Sequence, residues 1–310
     1  MRRIPLALPA ALTGALLLTA CGTQRADSQS LGSSPAQGSA SCSDQATPGS
    51  SALPGNSSGP GTDGVRLVGG ADCPAFEVTN DAGETATYTI TFQLMSNGAA
   101  MASAKQTLPP VTPGQTVRQA VDRGGMPTRA DDGTQVRILT VRSVPTAEAP
   151  SKGGPCPPSG VRMYADDGDA AMGLRVVGLH LVNCGTRDYR LDGYPQLQLL
   201  DERHQRVDGV RILHGGDSIA TGTGADGPPR PMVLRPGESA QAGLVWRNIT
   251  GTESDPVNVP YVRVVAKPGA AAVMVTPELD LGTTGKLGIG PWQKDATSRP
   301  SPTPSPATSS

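Results

Sequence analysis

From Thr85 to Leu94 the chain reads TATYTITFQL, with Ala86, Tyr88, Ile90, Phe92 and Leu94 on alternate positions and threonine or glutamine between them. A period of two places the apolar set on one face of a β-strand and the polar set on the other. Shorter runs of strand character flank it at Val65–Val68, Phe76–Thr79, Ala102–Leu108, Thr116–Ala120 and Gln135–Val144. Turns rich in Gly, Pro and Asp separate them. After a proline-rich break at Ala149–Pro158, a second set follows at Val161–Tyr164, Leu174–Val182, Gln196–Leu200, Val210–Leu213, Ala240–Trp246, Tyr261–Ala266 and Ala272–Thr276. This spacing predicts an all-β chain with two tandem immunoglobulin-like β-sandwich domains, at 62–148 and 156–292. A single large β domain is the alternative.

The two sets share a repeat. Each has an apolar strand that ends in Asn before a turn, VTNDAG from Val78 and LVNCG from Leu181. Each also has a Pro-Gly turn that launches an alternating strand, PGQTVRQAV from Pro113 and PGESAQAGLV from Pro236.

Outside these sets the pattern changes. Arg2 and Arg3 precede an apolar run, Ile4 to Leu18, which has the length of a secretory leader and is short for a membrane span. It ends Leu18-Thr19-Ala20-Cys21-Gly22, the pattern of a bacterial lipobox, so residues 1–20 are expected to be a cleaved signal peptide and Cys21 the site of lipidation. Two acyl chains hold a protein to a bilayer where one does not, so a diacylglyceryl group on Cys21 predicts a lipid-anchored protein on the extracytoplasmic face of the cell membrane. Residues 21–61 are mostly Ser, Gly, Ala and Pro and have too little apolar surface to fold, which reads as a tether reaching about 35 Å. The tail, 293–310, reads as equally disordered.

Composition narrows the partners. The formal charge is −1, without the basic surplus of a nucleic-acid binder, so no nucleic acid is expected as a partner. Glycine (39) and proline (30) are abundant and aromatics make up only 3%, so the cores must be built from Val, Leu, Ala and Ile. With Cys21 acylated, Cys42, Cys73, Cys156 and Cys184 remain, an even number in a compartment that permits disulfides. Three pairings are possible. Cys42 with Cys73 and Cys156 with Cys184 is favoured, because each pair stays within one half of the chain.

Three segments of the second half, NCGTRDYRLDGYPQLQLLD (Asn183–Asp201), LRPGESAQAGLVWRN (Leu234–Asn248) and LDLGTTGKLGIGPW (Leu279–Trp292), resemble the actinobacterial domain of unknown function family 4232. Its Leu-x-Gly-Tyr-Pro core corresponds to Leu191, Gly193, Tyr194 and Pro195. The resemblance implies a secreted or lipid-anchored β-sandwich of the actinobacterial envelope, and implies no activity.

Motifs for chemistry are sparse. Gly55-Asn56-Ser57-Ser58-Gly59 fits a nucleophile elbow but lies in the tether, without the strand and helix that such a serine needs. Gly222-Thr223-Gly224-Ala225-Asp226-Gly227 fits a dinucleotide fingerprint but runs into Pro228-Pro229-Arg230-Pro231, which cannot open a helix. His180 is expected to point to solvent from a strand, His204 to sit in a turn and His214 to begin a loop; their spacing suggests no catalytic or metal site. Asp166-Asp167-Gly168-Asp169 reads as a hairpin turn, with a Ca²⁺ loop as the weaker alternative. The 18 residues from His214 to Pro231 show no strand pattern and are expected to be disordered, or else a binding loop. Trp246 and Trp292 are expected to seal a core.

The reading is therefore a non-catalytic envelope lipoprotein, without cofactor, that binds or scaffolds an unknown envelope ligand or protein. An accessory or sensor lipoprotein of a membrane enzyme or transporter, and an envelope hydrolase with a dispersed site, are the alternatives.

Overall fold

Among the described residues six strands build the first half: β1 (Val65–Val68), β2 (Ala75–Thr79), β3 (Ala86–Ser96), β4 (Ala99–Thr107), β5 (Thr116–Ala120) and β6 (Gln135–Pro145). The structure is a computed structural model and describes residues 64–69, 73–122, 135–251 and 255–295. The strands form two antiparallel three-stranded sheets, β1-β2-β5 and β4-β3-β6. The alternation in β3 becomes a pleat with one dry face: Ala86, Tyr88, Ile90, Phe92 and Leu94 are buried and meet Phe76 and Val78 of the facing sheet. The Phe76 and Phe92 rings lie 5.0 Å apart.

Among the described residues fourteen strands build the second half. They are β7 (Val161–Ala165), β8 (Asp169–Ala171), β9 (Leu174–Asn183), β10 (Tyr189–Leu191), β11 (Gln196–Leu200), β12 (Arg211–His214), β13 (Met232–Leu234), β14 (Ser239–Arg247), β15 (Val257–Val259), β16 (Tyr261–Val265), β17 (Ala272–Val275), β18 (Leu279–Gly282), β19 (Lys286–Ile289) and β20 (Gln293–Lys294). The largest sheet runs β12-β19-β14-β9-β7, with β20 on β14 and β8 on β9. A second sheet, β11-β16-β17, and the pairs β10-β13 and β15-β18 complete the half. These enclose a second core that includes Leu179, Leu181, Leu244, Val262 and Val264. Trp246 and Trp292 are buried in it as expected, and their indole N–H groups donate to Asp280 Oδ1 (2.7 Å) and Ala266 O (2.9 Å). The described residues are thus all-β but for one short 3₁₀ turn at Thr146–Glu148. Among the described residues no helix is long and apolar enough to cross a membrane.

The repeat extends to single hydrogen bonds. Buried Asn80 donates through Nδ2 to Glu84 O (2.9 Å) and Val111 O (2.8 Å), and buried Asn183 donates to Arg187 O (2.8 Å) and Leu234 O (2.8 Å). In each copy the asparagine carbonyl accepts from the Pro-Gly glycine, Gly114 or Gly237, at 2.7 Å. Both glycines sit at positive φ, 73° and 85°, where a side chain would be strained. Gln115 and Glu238 then close their turns by accepting from the N–H of Thr112 (2.9 Å) and Arg235 (2.7 Å).

The two halves meet at a polar junction around a small apolar cluster of Val144, Leu200, Tyr261 and Met274. Arg142 of β6 is buried there and reaches across the seam. Its Nε and Nη2 donate to Glu278 Oε1 (2.6 Å) and Oε2 (2.7 Å), and its Nη1 donates to Glu202 Oε2 (2.9 Å) and to Val141 O of its own strand (2.9 Å). Burial alone would weaken its hold on the proton, but Glu278 and Glu202 more than offset this and raise the guanidinium above its ordinary pKa. Ser143 N–H donates to Tyr261 Oη (3.2 Å), and Glu148 forms a two-bond ion pair with Arg263.

Candidate functional site

A cleft in the second half follows from a strand that changes sheets. After β11, Asp201 Oδ1 accepts from the N–H of Arg203 and Gln205, both at 2.8 Å, and turns the chain back. Asp201 N–H then donates to Gln205 O and Val207 N–H to Leu199 O, both at 2.9 Å, a short two-bond ladder. At Gly209, with φ 86°, the chain leaves β11 and crosses to the large sheet, where β12 pairs parallel with β19. The departure opens a cleft of about 510 Å³ between β11 and residues 206–212, with Arg263 and Val265 of β16 on its rim.

One wall of the cleft is the edge of β11. Leu199 turns its carbonyl to Val207, away from β16, so the alternation of an antiparallel strand aims the N–H and C=O of Leu197 the same way. Neither has a backbone partner among the described residues. Gln196, Gln198 and Arg263 supply polar groups, whereas Leu197, Val207 and Val210 are half-buried against the core. Ile212 is 38% exposed. Arg206 pairs with Asp208 at 3.3 Å in open solvent, and Arg263 is held protonated beside Glu148. The set offers carboxamides, guanidinium groups, aliphatic surface and free backbone, which suits binding.

Several predicted residues stand elsewhere. Asp166–Asp169 is not the hairpin turn: β7 and β8 both pair with β9, so Asp166 to Gly168 form a kink between them, and the turn falls at Met172-Gly173. At this kink Asp166 Oδ1 accepts from Gly178 N–H (2.8 Å) and Oδ2 meets His180 Nε2 (3.0 Å). A Cβ on Gly178 would strike that carboxylate, so the missing side chain makes room for it. His180 therefore does not simply face solvent; its ring is paired with Asp166 and stacks on Tyr164 at 4.9 Å. Among the described residues no three His, Cys, Asp or Glu side chains gather as a metal ion requires. His204 does sit in the turn, edge-on to Tyr261 at the junction, while His214 ends β12 and stacks on Tyr194 at 4.2 Å.

The segment from His214 to Pro231 is not disordered. It folds down on the large sheet and inserts Ala225, fully buried, against Gly243 and Gly290. Gln293 Nε2 donates to Gly224 O (3.1 Å) and Arg247 Nε to Ile219 O (3.2 Å). The carboxyl of Asp217 is raised by a hydrogen bond shared with Asp226, whose own carboxyl is lowered by the same bond. The G-x-G-x-x-G match is part of this structural loop.

Cys156 and Cys184 form the expected disulfide, which closes a span of 28 residues and is worth roughly 3 to 4 kcal/mol on chain-entropy grounds. Cys73 is also disulfide-bonded; Cys42, its expected partner, lies outside the described residues, as do Cys21 and the Gly55–Gly59 motif.

The family described as a domain of unknown function, DUF4232, matches residues 156–293, which include both walls of the cleft. This C-terminal part is a DUF4232 domain. The cleft, the disulfide and the folded-down loop all belong to the DUF4232 domain, and the junction joins it to the first half. No curated protein matches the chain. Solved structures with some likeness include a putative beta-galactosidase from Bacteroides fragilis, at 8% identity and a TM-score of 0.19 over 72% of this chain and 32% of that one. A second is red sea bream transglutaminase, at 12% identity and a TM-score of 0.19 over 73% of this chain and 30% of that one. The chain thus spans about a third of their lengths, and at these scores neither likeness bears on fold or activity.

Proposed function

We propose that this chain is a non-catalytic, lipid-anchored protein of the actinobacterial cell envelope that binds an envelope ligand or protein through the cleft of its DUF4232 domain. The observation that carries the anchoring is the leader, with its two arginines, its apolar run and the Leu18–Gly22 lipobox ending at Cys21. The tether that follows lets the folded part stand off the bilayer. The lining of the cleft supports binding: it joins hydrogen-bonding carboxamides and arginines to half-buried aliphatic side chains around free strand backbone. Metabolic labelling with a clickable fatty acid tests the anchor. The wild type takes up label and partitions with membranes, and Cys21→Ala does neither; equal labelling of the two defeats the anchoring. A pull-down from envelope extracts with the wild type and with Ile212→Asp tests the cleft. Binding partners recovered equally by both place the binding surface elsewhere.

A further inference from the structure

We infer that a second cavity of the DUF4232 domain, at the end of the β10-β13 ribbon, binds an anionic amphiphile: a carboxylate or phosphate head on a short apolar chain. This site is separate from the cleft beside β11 and does not depend on it.

The ribbon makes the walls. β10 and β13 pair antiparallel, with Tyr189, Arg190 and Leu191 opposite Leu234, Val233 and Met232. Alternation puts Tyr189, Leu191, Met232 and Leu234 on the face that packs on the core, and Arg190 and Val233 on the other. The pairing ends at Leu191 and Met232, and a cavity of about 510 Å³ lies there, with Pro231, Met232 and Pro268 as apolar walls.

Charge selects the guest. Lys267 and Arg190 both line the cavity. The Lys267 ammonium donates to Arg190 O (2.8 Å) and stands 3.8 Å from the centroid of the Tyr189 ring. Both contacts fix its position, and neither brings a negative charge: the carbonyl offers a dipole and the ring a quadrupole. Among the described residues no carboxylate pairs with Lys267 or with Arg190. They differ in this from Arg206 and Arg263 of the cleft, answered by Asp208 and Glu148, and from Lys294 beside β13, answered by Glu238. One carboxylate, that of the exposed Asp192, stands in the lining against the two cations, so the cavity is net positive in a chain whose formal charge is −1. An ammonium has three N–H donors, of which Arg190 O takes one, and a guanidinium grips a carboxylate or phosphate with two parallel bonds. Because Lys267 is already held in place, the site needs little reorganisation to receive an anion. The apolar walls then take the chain behind the head. A neutral guest leaves both cations unanswered, a cationic one is repelled by them, and a bare anion leaves the walls wet.

The test uses the full chain, ¹⁵N-labelled and held in phosphatidylcholine nanodiscs, titrated with hexanoate and with hexyl phosphate. Saturable amide shifts at Arg190–Asp192, Met232–Val233 and Lys267 are expected for both. Acetate, which lacks the chain, hexanol, which is neutral, and hexylamine, which is cationic, are each expected to bind at least tenfold more weakly. Lys267→Met keeps the stem and loses the charge; it and Arg190→Gln are each expected to weaken hexanoate at least tenfold. Arg190 is exposed, so its variant carries the test if Lys267→Met does not fold. A free amphiphile and a bilayer lipid share this chemistry, and nanodiscs containing phosphatidylglycerol separate the two sources. Shifts that arise there without added ligand assign the head to a lipid, and shifts that still need hexanoate assign it to a soluble amphiphile. Hexanol or hexylamine binding as tightly as hexanoate overturns the anionic head, and acetate binding as tightly overturns the apolar chain. Unchanged hexanoate affinity in both variants, or no shift at these residues with any ligand in either nanodisc, overturns the site. None of these results bears on the β11 cleft, which the Ile212→Asp pull-down tests by itself.

Discussion

Asn183 holds three pieces of chain together with one carboxamide. Its Nδ2 saturates Arg187 O and Leu234 O while Oδ1 accepts from Gly185 N–H (3.2 Å), all from a site that is 1% exposed. Alanine there takes this donor from the buried Leu234 carbonyl and the part-buried Arg187 carbonyl, so Asn183→Ala is expected to cost about 2 kcal/mol, read as a lower urea midpoint with unchanged slope. Glu238 makes a second residue-level prediction. Lys294 Nζ (2.6 Å) and Arg235 N–H (2.7 Å) both donate to its Oε2 and hold the carboxyl below its usual pKa. A depressed carboxyl stabilises the fold above its unfolded value and loses that contribution as pH falls through the folded one. Glu238→Gln is therefore expected to be less stable than the wild type at neutral pH, by about 1 kcal/mol, and to converge with it below about pH 4. Thermal melts of the two proteins across that range check the sign. Of these two residues the asparagine was visible in advance, as one half of a repeated motif, whereas the partner of Glu238 lies 56 residues away and no local pattern announces it.

At the scale of elements, legibility followed length and alternation. β3, β9 and β14 were readable because nine or more residues keep one face dry. β10, β13 and β15 have three residues each, and what makes them strands is the neighbour they pair with, not their own pattern. The 214–231 loop was misread for a related reason. Its glycines and small side chains suggest a segment with nothing to bury, yet Ala225 fits a hollow made by Gly243 and Gly290, residues that lie well downstream. That complementarity links distant positions and has no period. It predicts that Gly290→Ala, whose Cβ would stand 2.7 Å from Ala225 Cα, lifts the loop from the sheet. Faster amide exchange and proteolysis within 214–231, with β9 and β14 still protected, are the expected readouts. The cleft escaped sequence reading altogether, because it exists only where a chain segment deserts one sheet for the other.

For the whole molecule, the junction decides whether the halves behave as one body or two. Arg142 is the only cation among the described residues that binds both Glu202 and Glu278, and its side chain is 8% exposed. Replacing it leaves two carboxylates facing each other across an apolar patch. Arg142→Ala is expected to divide a single calorimetric unfolding transition into two, with the first half melting earlier, while Arg142→Lys, which cannot grip Glu278 with two parallel bonds, falls between. A single sharp transition in all three proteins would mean that the apolar cluster alone couples the halves.

Arg263 lines the cleft and also binds Glu148 beside the seam. An anion seated in the cleft would therefore compete with Glu148 for one guanidinium. Linkage makes the competition mutual: occupancy that draws the arginine outward slackens the hold on the first half, and a slackened hold leaves the arginine freer for the next occupant.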